Sequence, residues 1–427
     1  MNPEPIHEYQ SFTCNKGNFG TQYVDIKSET TFQNLKQFIL ESNACGETEA
    51  LDFMSVSYKK GIGEIITAKN YVGLIAMRDG TVIEILPKIH SSEEFDSKKL
   101  LIDMLRTVKE LPFKAFNTTH LHFEKLPLIE VFITMFIGEM KLLLQKGLKS
   151  DYVLHQENEK FLKGKLLFNN HLKQNLTHKE RFYVEYHLYN LNRPENRVIK
   201  TTLQYLYRCS KDAKNKKELQ MLLLAFDNVT VSKDIDVDFN LCSIGRDMLA
   251  YGQILEWCKI FLKGNSFTNS KGSKLATALL FPMERLFESY VAEKLRRTLD
   301  SKTFNLKAQD NKHHLFEKKF AMRPDIVVEH IQEKNIVVLD TKWKLLNADG
   351  RSNYGISQSD MYQMYAYGKK YDTSEVVLLY PLNEKVVNLA GSIDFHSPEN
   401  DNVNVHVRFL DLTNNSFMES VVDEFFA

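Results

Sequence analysis

The chain has no surplus of charge of either sign. Its 427 residues carry 55 Lys plus Arg against 55 Asp plus Glu, so net charge neither demands nor excludes a polyanionic partner. Cysteine is scarce. The five residues, at 14, 45, 209, 242 and 258, show no paired spacing, which argues against a disulfide framework or a cysteine-based zinc site and fits the reducing cytoplasm. The N-terminus shows no basic-then-apolar signal pattern. No apolar run approaches the roughly 20 residues of a membrane span. The most apolar stretch, residues 131–138, is bracketed by Glu130 and Glu139 and reads as a buried helix. There is no GxxxxGK[ST] phosphate loop, and Gly61-Ile62-Gly63 has no helix after it to form a dinucleotide site. His313-His314 lacks metal-ligand spacing, and neither an internal repeat nor a low-complexity tract is present.

What remains is an ordinary globular composition, 43% hydrophobic and 26% charged, in a chain long enough for two or three domains. The first 90 or so residues read as strands. Residues 71–77 and 81–86 form a hairpin over Asp79-Gly80, and Pro87 closes it. Helical spacing runs from residue 97 to about 145, with Leu100, Leu101, Met104 and Leu105 as one example. Residues 151–190 mix aromatic and polar side chains without a clear period, whereas 196–207, 217–226 and 244–262 read as helices. Between residues 141 and 220 there are 17 Lys/Arg against 8 Asp/Glu. Such a stretch suits a phosphate backbone or an acidic protein, or is simply a solvated surface. The Gly/Ser-rich segment 263–273 is the best boundary. Beyond it come a helix (281–299), two strands, a helix (359–371) and strands at 375–380 and 403–410. The expected fold class is therefore α/β (α+β overall): a mixed β N-terminal domain, a helical middle region and a C-terminal α/β domain. The expected divisions are 1–150, 151–265 (basic, mainly helical) and 266–427.

Two segments in the last division carry chemistry. Met322-Arg323-Pro324-Asp325-Ile326-Val327-Val328 and Ile336-Val337-Val338-Leu339-Asp340-Thr341-Lys342-Trp343 are β-branched runs with charge where a buried strand avoids it. A loop centred between Gln332 and Glu333 pairs residues whose numbers sum to 665. Asp325 then faces Asp340 across the hairpin, with side chains roughly 5 Å apart. Lys342 shares the face of Asp340. Two such carboxylates repel, and a divalent cation relieves the repulsion. Carboxylate oxygens suit Mg²⁺, which polarises phosphoryl oxygens and acidifies bound water, while a lysine can place that water or stabilise charge on phosphorus. A purely structural ion cluster would use the same three residues.

Pro324-Asp325 with Asp340-x-Lys342 resembles the PD-(D/E)xK nuclease signature, in its Asp variant. Gln363-Met364-Tyr365-Ala366-Tyr367 resembles the QxxxY element of that superfamily. The wider chain is similar to the McrC family, the nuclease subunit of the modified-cytosine restriction system. The similar stretches include residues 79–89, 161–168, 180–186, 194–200 and 339–344. The resemblance implies a restriction-endonuclease-like C-terminal domain that cuts double-stranded DNA with Mg²⁺. It implies catalytic roles for Asp325, Asp340, Lys342 and Gln363, with Tyr367 four residues on. It also implies a metal site completed by Glu288, with Glu284 its rival one turn earlier, and by the carbonyl of Thr341. It further implies a ring-forming, McrB-like AAA+ GTPase partner, bound through residues 1 to about 265, that supplies all use of GTP. The resemblance gives Lys344 and Arg323 no firm role. A non-catalytic bridging protein, or a nuclease of repair or RNA processing, would keep the same fold.

Overall fold

The computed structural model describes residues 4–15, 20, 22–26, 28–44, 53–77, 79, 81–89, 94–108, 126–243, 248–263, 276–387, 389, 392–398, 402–414 and 416–426. The proposed boundary segment 263–273 lies almost wholly outside them, as do Arg78 and Gly80 of the hairpin turn. The chain divides into two compact units. One comprises residues 1–114, 119–128 and 264–427, and the other 115–118 and 129–263. The first unit thus joins the N-terminal strands to the C-terminal α/β region, whereas the sequence suggested separate divisions at 150 and 265.

The N-terminal part of the first unit contains β1 (Ile6–His7), β2 (Ser11–Thr13), β3 (Tyr23–Asp25), α1 (Glu29–Ala44), β4 (Met54–Lys59), β5 (Gly63–Ala68), β6 (Tyr71–Met77), β7 (Val82–Leu86) and α2 (Glu94–Thr107). The expected hairpin is β6–β7, with Ile75 opposite Ile83. Helix α1 was not anticipated among these strands. Its Phe32, Leu35, Phe38 and Ile39 repeat at helical spacing and are buried with Phe12, Ile66 and Ile75. One sheet runs β3-β2-β5-β4. The other runs β1-β7-β6 and is completed by β11 (Ala276–Pro282) from beyond the second unit. Gly73 pairs with Leu280 there, and its φ of +132° brings the backbones so close that a Cβ would lie 2.0 Å from the Leu279 carbonyl oxygen.

The second unit holds most of α3 (Leu128–Lys146), then β8 (Asp151–Glu159), β9 (Lys165–Leu166), α4 (Phe168–Asn175), β10 (Phe182–Asn190), α5 (Pro194–Cys209), α6 (Ala213–Ala225), α7 (Ile235–Leu241) and α8 (Leu249–Lys263). Residues 151–190, expected within a mainly helical region, instead form an antiparallel sheet in which β8 and β10 pair along nine residues. The ribbon gave no periodic signal because both its faces meet solvent. Tyr152, Leu154 and Tyr189 are exposed on one face and Leu188 on the other, and Val184 is the one fully buried apolar residue of β10. Residues 131–138 do form a buried helix, as expected, with Phe136 against Trp257 and Phe261.

The rest of the first unit is a six-stranded mixed sheet, β12-β15-β16-β17-β19-β18, with flanking helices. Its strands are β12 (Phe304–Ala308), β15 (Ile326–His330), β16 (Ile336–Thr341), β17 (Glu375–Pro381), β18 (Ser392–His396) and β19 (Asn404–Leu410). A separate hairpin joins β13 (His314–Phe316) to β14 (Lys319–Ala321). The helices are α9 (Met283–Thr298), α10 (Gln358–Tyr371) and α11 (Phe417–Phe425). Helix α10 is the crossover between parallel β16 and β17. Ser357 caps it, its hydroxyl accepting from the Asp360 amide, and Asp372 ends it with φ +52°. Met364, Tyr367 and Tyr371 bury one face of α10 against Val327, Val338, Val376 and Leu378. Each such buried side chain stabilises the fold by roughly 1.5–3 kcal/mol. Helix α9 packs on β16 through a different set of residues that includes Phe287, whose ring centroid lies 5.2 Å from that of Trp343.

Candidate active site

The hairpin register is the one the sequence suggested. Ile326 pairs with Leu339 and Val327 with Val338, so one residue further along Asp325 stands opposite Asp340. Side chains alternate across a strand. Asp325, Asp340 and Lys342 therefore share the α10 face with Val327 and Val338. The site also sits where β16 passes from an antiparallel neighbour to a parallel one.

Asp340 is 1% exposed. Lys342 Nζ lies 2.6 Å from its Oδ2, yet no donor is aligned on that oxygen in hydrogen-bond geometry. Asp325 Oδ2 accepts from the Thr341 amide and the Thr341 hydroxyl, both at 2.7 Å. Burial pushes the Asp340 carboxyl well above the ordinary range, and the charge of Asp325 adds to it, against the pull of Lys342. Burial likewise raises Asp325, although the two Thr341 bonds and Lys342 oppose the shift. For Lys342 burial acts downward, but attraction to Asp340, Asp325 and Asp360 outweighs it and holds the ammonium charged.

Lys342 also donates to Gln363 Oε1 at 3.1 Å, and Gln363 Nε2 donates to the Tyr367 hydroxyl at 2.7 Å. The four-residue spacing of Gln363 and Tyr367 on α10 makes this relay possible. Lys344 is held elsewhere, by Asp360 Oδ2 at 2.9 Å. Asp360, in the first turn of α10, keeps a carboxyl below the ordinary range: burial opposes ionisation, but Ser357 and Lys344 prevail. Arg323 is exposed.

Glu288 stands one step further out. Its Oε1 accepts from Gln309 Nε2 at 2.9 Å, while the Gln309 amide donates to the Asp325 carbonyl at 2.8 Å. Gln309 thus joins the two acids, and it does so at a left-handed φ of +50°. Glu284 points away to Asn70, at 3.1 Å. Thr341 engages Asp325 through its amide and hydroxyl. Among the described residues no group of three or more His, Cys, Asp or Glu is gathered tightly enough to hold a metal ion unaided. Sequence reasoning missed Gln309 and also Tyr380. The Tyr380 hydroxyl is buried without a hydrogen-bond partner and feels the charges of Asp360 and Asp340.

The donor set fits one hydrated Mg²⁺. That ion takes one or two carboxylates and fills its octahedron with water and substrate phosphate. Two carboxylates face one another, and two buried polar atoms, Asp340 Oδ2 and the Tyr380 hydroxyl, lack aligned partners, as at a site waiting for water or an ion.

Comparisons with known proteins bear on the family and the fold. The family model described as McrBC 5-methylcytosine restriction system component matches residues 66–381. No curated protein matches the chain. Among solved structures, a chain of the refined half-complex from the tetradecameric assembly of Thermococcus gammatolerans McrB AAA+ hexamers with bound McrC is 21% identical with a TM-score of 0.70. The match covers 99% of this chain and 100% of that one. A chain of the cryo-EM structure of the Thermococcus gammatolerans McrBC complex is 23% identical with a TM-score of 0.52, over 70% of this chain and 88% of that one. At such identities the two structures establish a shared fold. The family match is of another kind, since it spans well over half of the sequence. This chain belongs to the McrBC 5-methylcytosine restriction system component family.

Proposed function

We propose that this chain is the Mg²⁺-dependent DNA endonuclease subunit of a GTP-dependent system that restricts modified DNA. The observation that carries the reading is the convergence of Asp325, Asp340 and Lys342 on one sheet face, with the Lys342 ammonium 2.6 Å from the buried Asp340 carboxylate. Asp325 and Asp340 would hold Mg²⁺, with Glu288 and the Thr341 carbonyl as supporting donors. When bound, the ion supplies a polarised phosphoryl oxygen and a water of lowered pKa. Lys342 stays charged between Asp340 and Gln363, where it positions the attacking water and offsets negative charge growing on phosphorus. Gln363 aims that ammonium, and Tyr367 fixes the amide of Gln363.

The chain lacks a phosphate loop of its own, so GTP enters through a partner. The half-complex named above contains McrB AAA+ hexamers with bound McrC. By likeness of fold, this chain would bind and stimulate a similar GTPase ring in the cytoplasm, through residues 1 to about 265. Among the described residues no helix is long and apolar enough to cross a membrane. The test combines purified chain, partner ring, GTP, Mg²⁺ and modified plasmid. Asp340→Ala should abolish cutting and leave partner binding and GTP hydrolysis intact. Cutting by that variant would remove Asp340 from the metal site.

A further inference from the structure

The β13–β14 hairpin stands immediately before the candidate active site in the chain. Ala321 precedes Asp325 by four residues, a reach of at most about 14 Å. His314 pairs with Ala321 and Phe316 with Lys319, which leaves Glu317 and Lys318 at the tip. The base of the hairpin is anchored to α10, the helix that carries Gln363. The His313 ring lies 4.4 Å from that of Tyr371, the Tyr371 hydroxyl donates to Asp310 Oδ2 at 2.8 Å, and the Met322 amide donates to the His313 carbonyl.

The far end has the opposite character. Phe316 is 64% exposed and Phe320 72%, with their rings edge to face. Phe320 holds a left-handed φ of +56° and Lys318 one of +55°. For a bulky aromatic that backbone is strained, and such strain persists where a surface is built for use. Lys312, Lys318, Lys319 and Arg323 lie within four residues of Phe316 or Phe320 along the chain. All four are exposed, and no ion pair engages any of them among the described residues. Two solvent-facing aromatics among unpaired cations complement the base faces and phosphates of a nucleic acid. An acidic or apolar protein surface would meet only one half of that pattern.

We infer that the β13–β14 hairpin is a DNA wedge: Phe316 and Phe320 stack on bases beside the scissile phosphate while Lys318, Lys319 and Arg323 hold the flanking backbone. The inference rests on the nuclease reading for its substrate, but its test does not require cutting. The full chain carrying Asp340→Asn, to suppress cleavage, is titrated with a duplex containing 2-aminopurine, whose fluorescence rises when it is unstacked. With the native hairpin, binding should raise the fluorescence. Phe316→Ala with Phe320→Ala should abolish the rise and weaken binding roughly tenfold or more. Phe316→Trp should restore part of both. Lys318→Ala with Lys319→Ala should weaken binding and flatten its salt dependence by about two counterions, yet keep the fluorescence rise.

The altered side chains are exposed, so the unfolding midpoint should stay put and serves as the control for folding. Absence of a fluorescence rise with the native hairpin, or unchanged binding in the double phenylalanine variant, overturns the wedge. If the wedge signals appear but chain, partner, GTP and Mg²⁺ never cut modified plasmid, the nuclease reading fails and the hairpin stands as a DNA-stacking element without a scissile phosphate. If cutting depends on Asp340 but ignores both phenylalanines, the reverse holds.

Discussion

Glu8→Gln tests whether a buried acid at the start of the chain sets the pH dependence of the unit that carries the candidate active site. Glu8 is 0% exposed. Its carboxylate accepts the Trp343 indole N–H on both oxygens, at 3.1 and 3.0 Å, and the Lys88 amide at 3.1 Å. Trp343 directly follows Lys342. Burial pushes the Glu8 carboxyl up to about 8 from an unfolded value of 4.5; the hydrogen bonds from Lys88 and Trp343 oppose that rise, and the charge of Glu284 adds to it. The folded state therefore holds a proton that the unfolded chain has released. That contribution to stability is complete below pH 4.5 and is lost as pH rises through about 8. Across the window the slope is roughly 1.4 kcal/mol per pH unit, so about 2.7 kcal/mol should vanish between pH 5.5 and 7.5. Glutamine cannot titrate. It keeps one acceptor and sets an amide against a backbone or indole donor, a pH-independent loss of about 1–2 kcal/mol. The chain has two tryptophans, and Trp257 lies in the other unit. A Trp257→Phe background thus makes fluorescence report Trp343 alone. Urea titrations at pH 5.5, 6.5 and 7.5 should show the variant less stable at pH 5.5, about level near pH 6.5, and more stable than the native chain by about 1 kcal/mol at pH 7.5. Parallel losses with and without Glu8 would refute the argument.

Local chemistry made part of the molecule readable. Two β-branched runs around a polar loop set the register that brings Asp325 opposite Asp340, and a spacing of four on a helix placed Gln363 beside Tyr367. Both depend on residues close in sequence, where turn and helix periodicity act directly. The hidden parts depend on distance or on a missing or short period. Glu8 and Trp343 are 335 positions apart, and nothing near Glu8 distinguishes it from a surface acid. The pairing of β6 with β11 crosses the whole second unit. Edge strand β18 alternates half-buried Ile393 and Phe395 with exposed polar residues, a period-two signal only five residues long that sequence reasoning missed. Glu288 could be placed on its helix by spacing, but its link to Asp325 runs through Gln309 in a left-handed conformation that no motif encodes.

Lys342→Met should lower single-turnover cleavage by about two to three powers of ten, because two facing carboxylates and the developing charge lose their cation; a loss under fivefold would leave the lysine a structural counter-ion. In the second unit, Glu130 is 2% exposed and accepts from the Lys211 and Asp212 amides, the Ser210 hydroxyl and the Asn215 amide. Glu130→Ala strands all four donors at the α5–α6 turn, and the urea midpoint read from Trp257 should fall by the equivalent of about 3 kcal/mol or more. Gly73→Ala examines the junction of N- and C-terminal halves within the first unit. Its φ of +132° and the 2.0 Å approach of the Leu279 carbonyl oxygen leave no room for a methyl group, so β6 and β11 must part. Gly61 supplies the comparison: its φ is +86° with nothing within 4 Å of an added Cβ. Gly61→Ala should therefore show backbone strain alone, about 1 kcal/mol. Gly73→Ala should add steric exclusion of several kcal/mol, seen as an earlier Trp343 transition. Equal shifts in the two variants would mean that strand β11 does not pack against β6 as closely as this structure has it, and that the union of the two halves rests on other contacts.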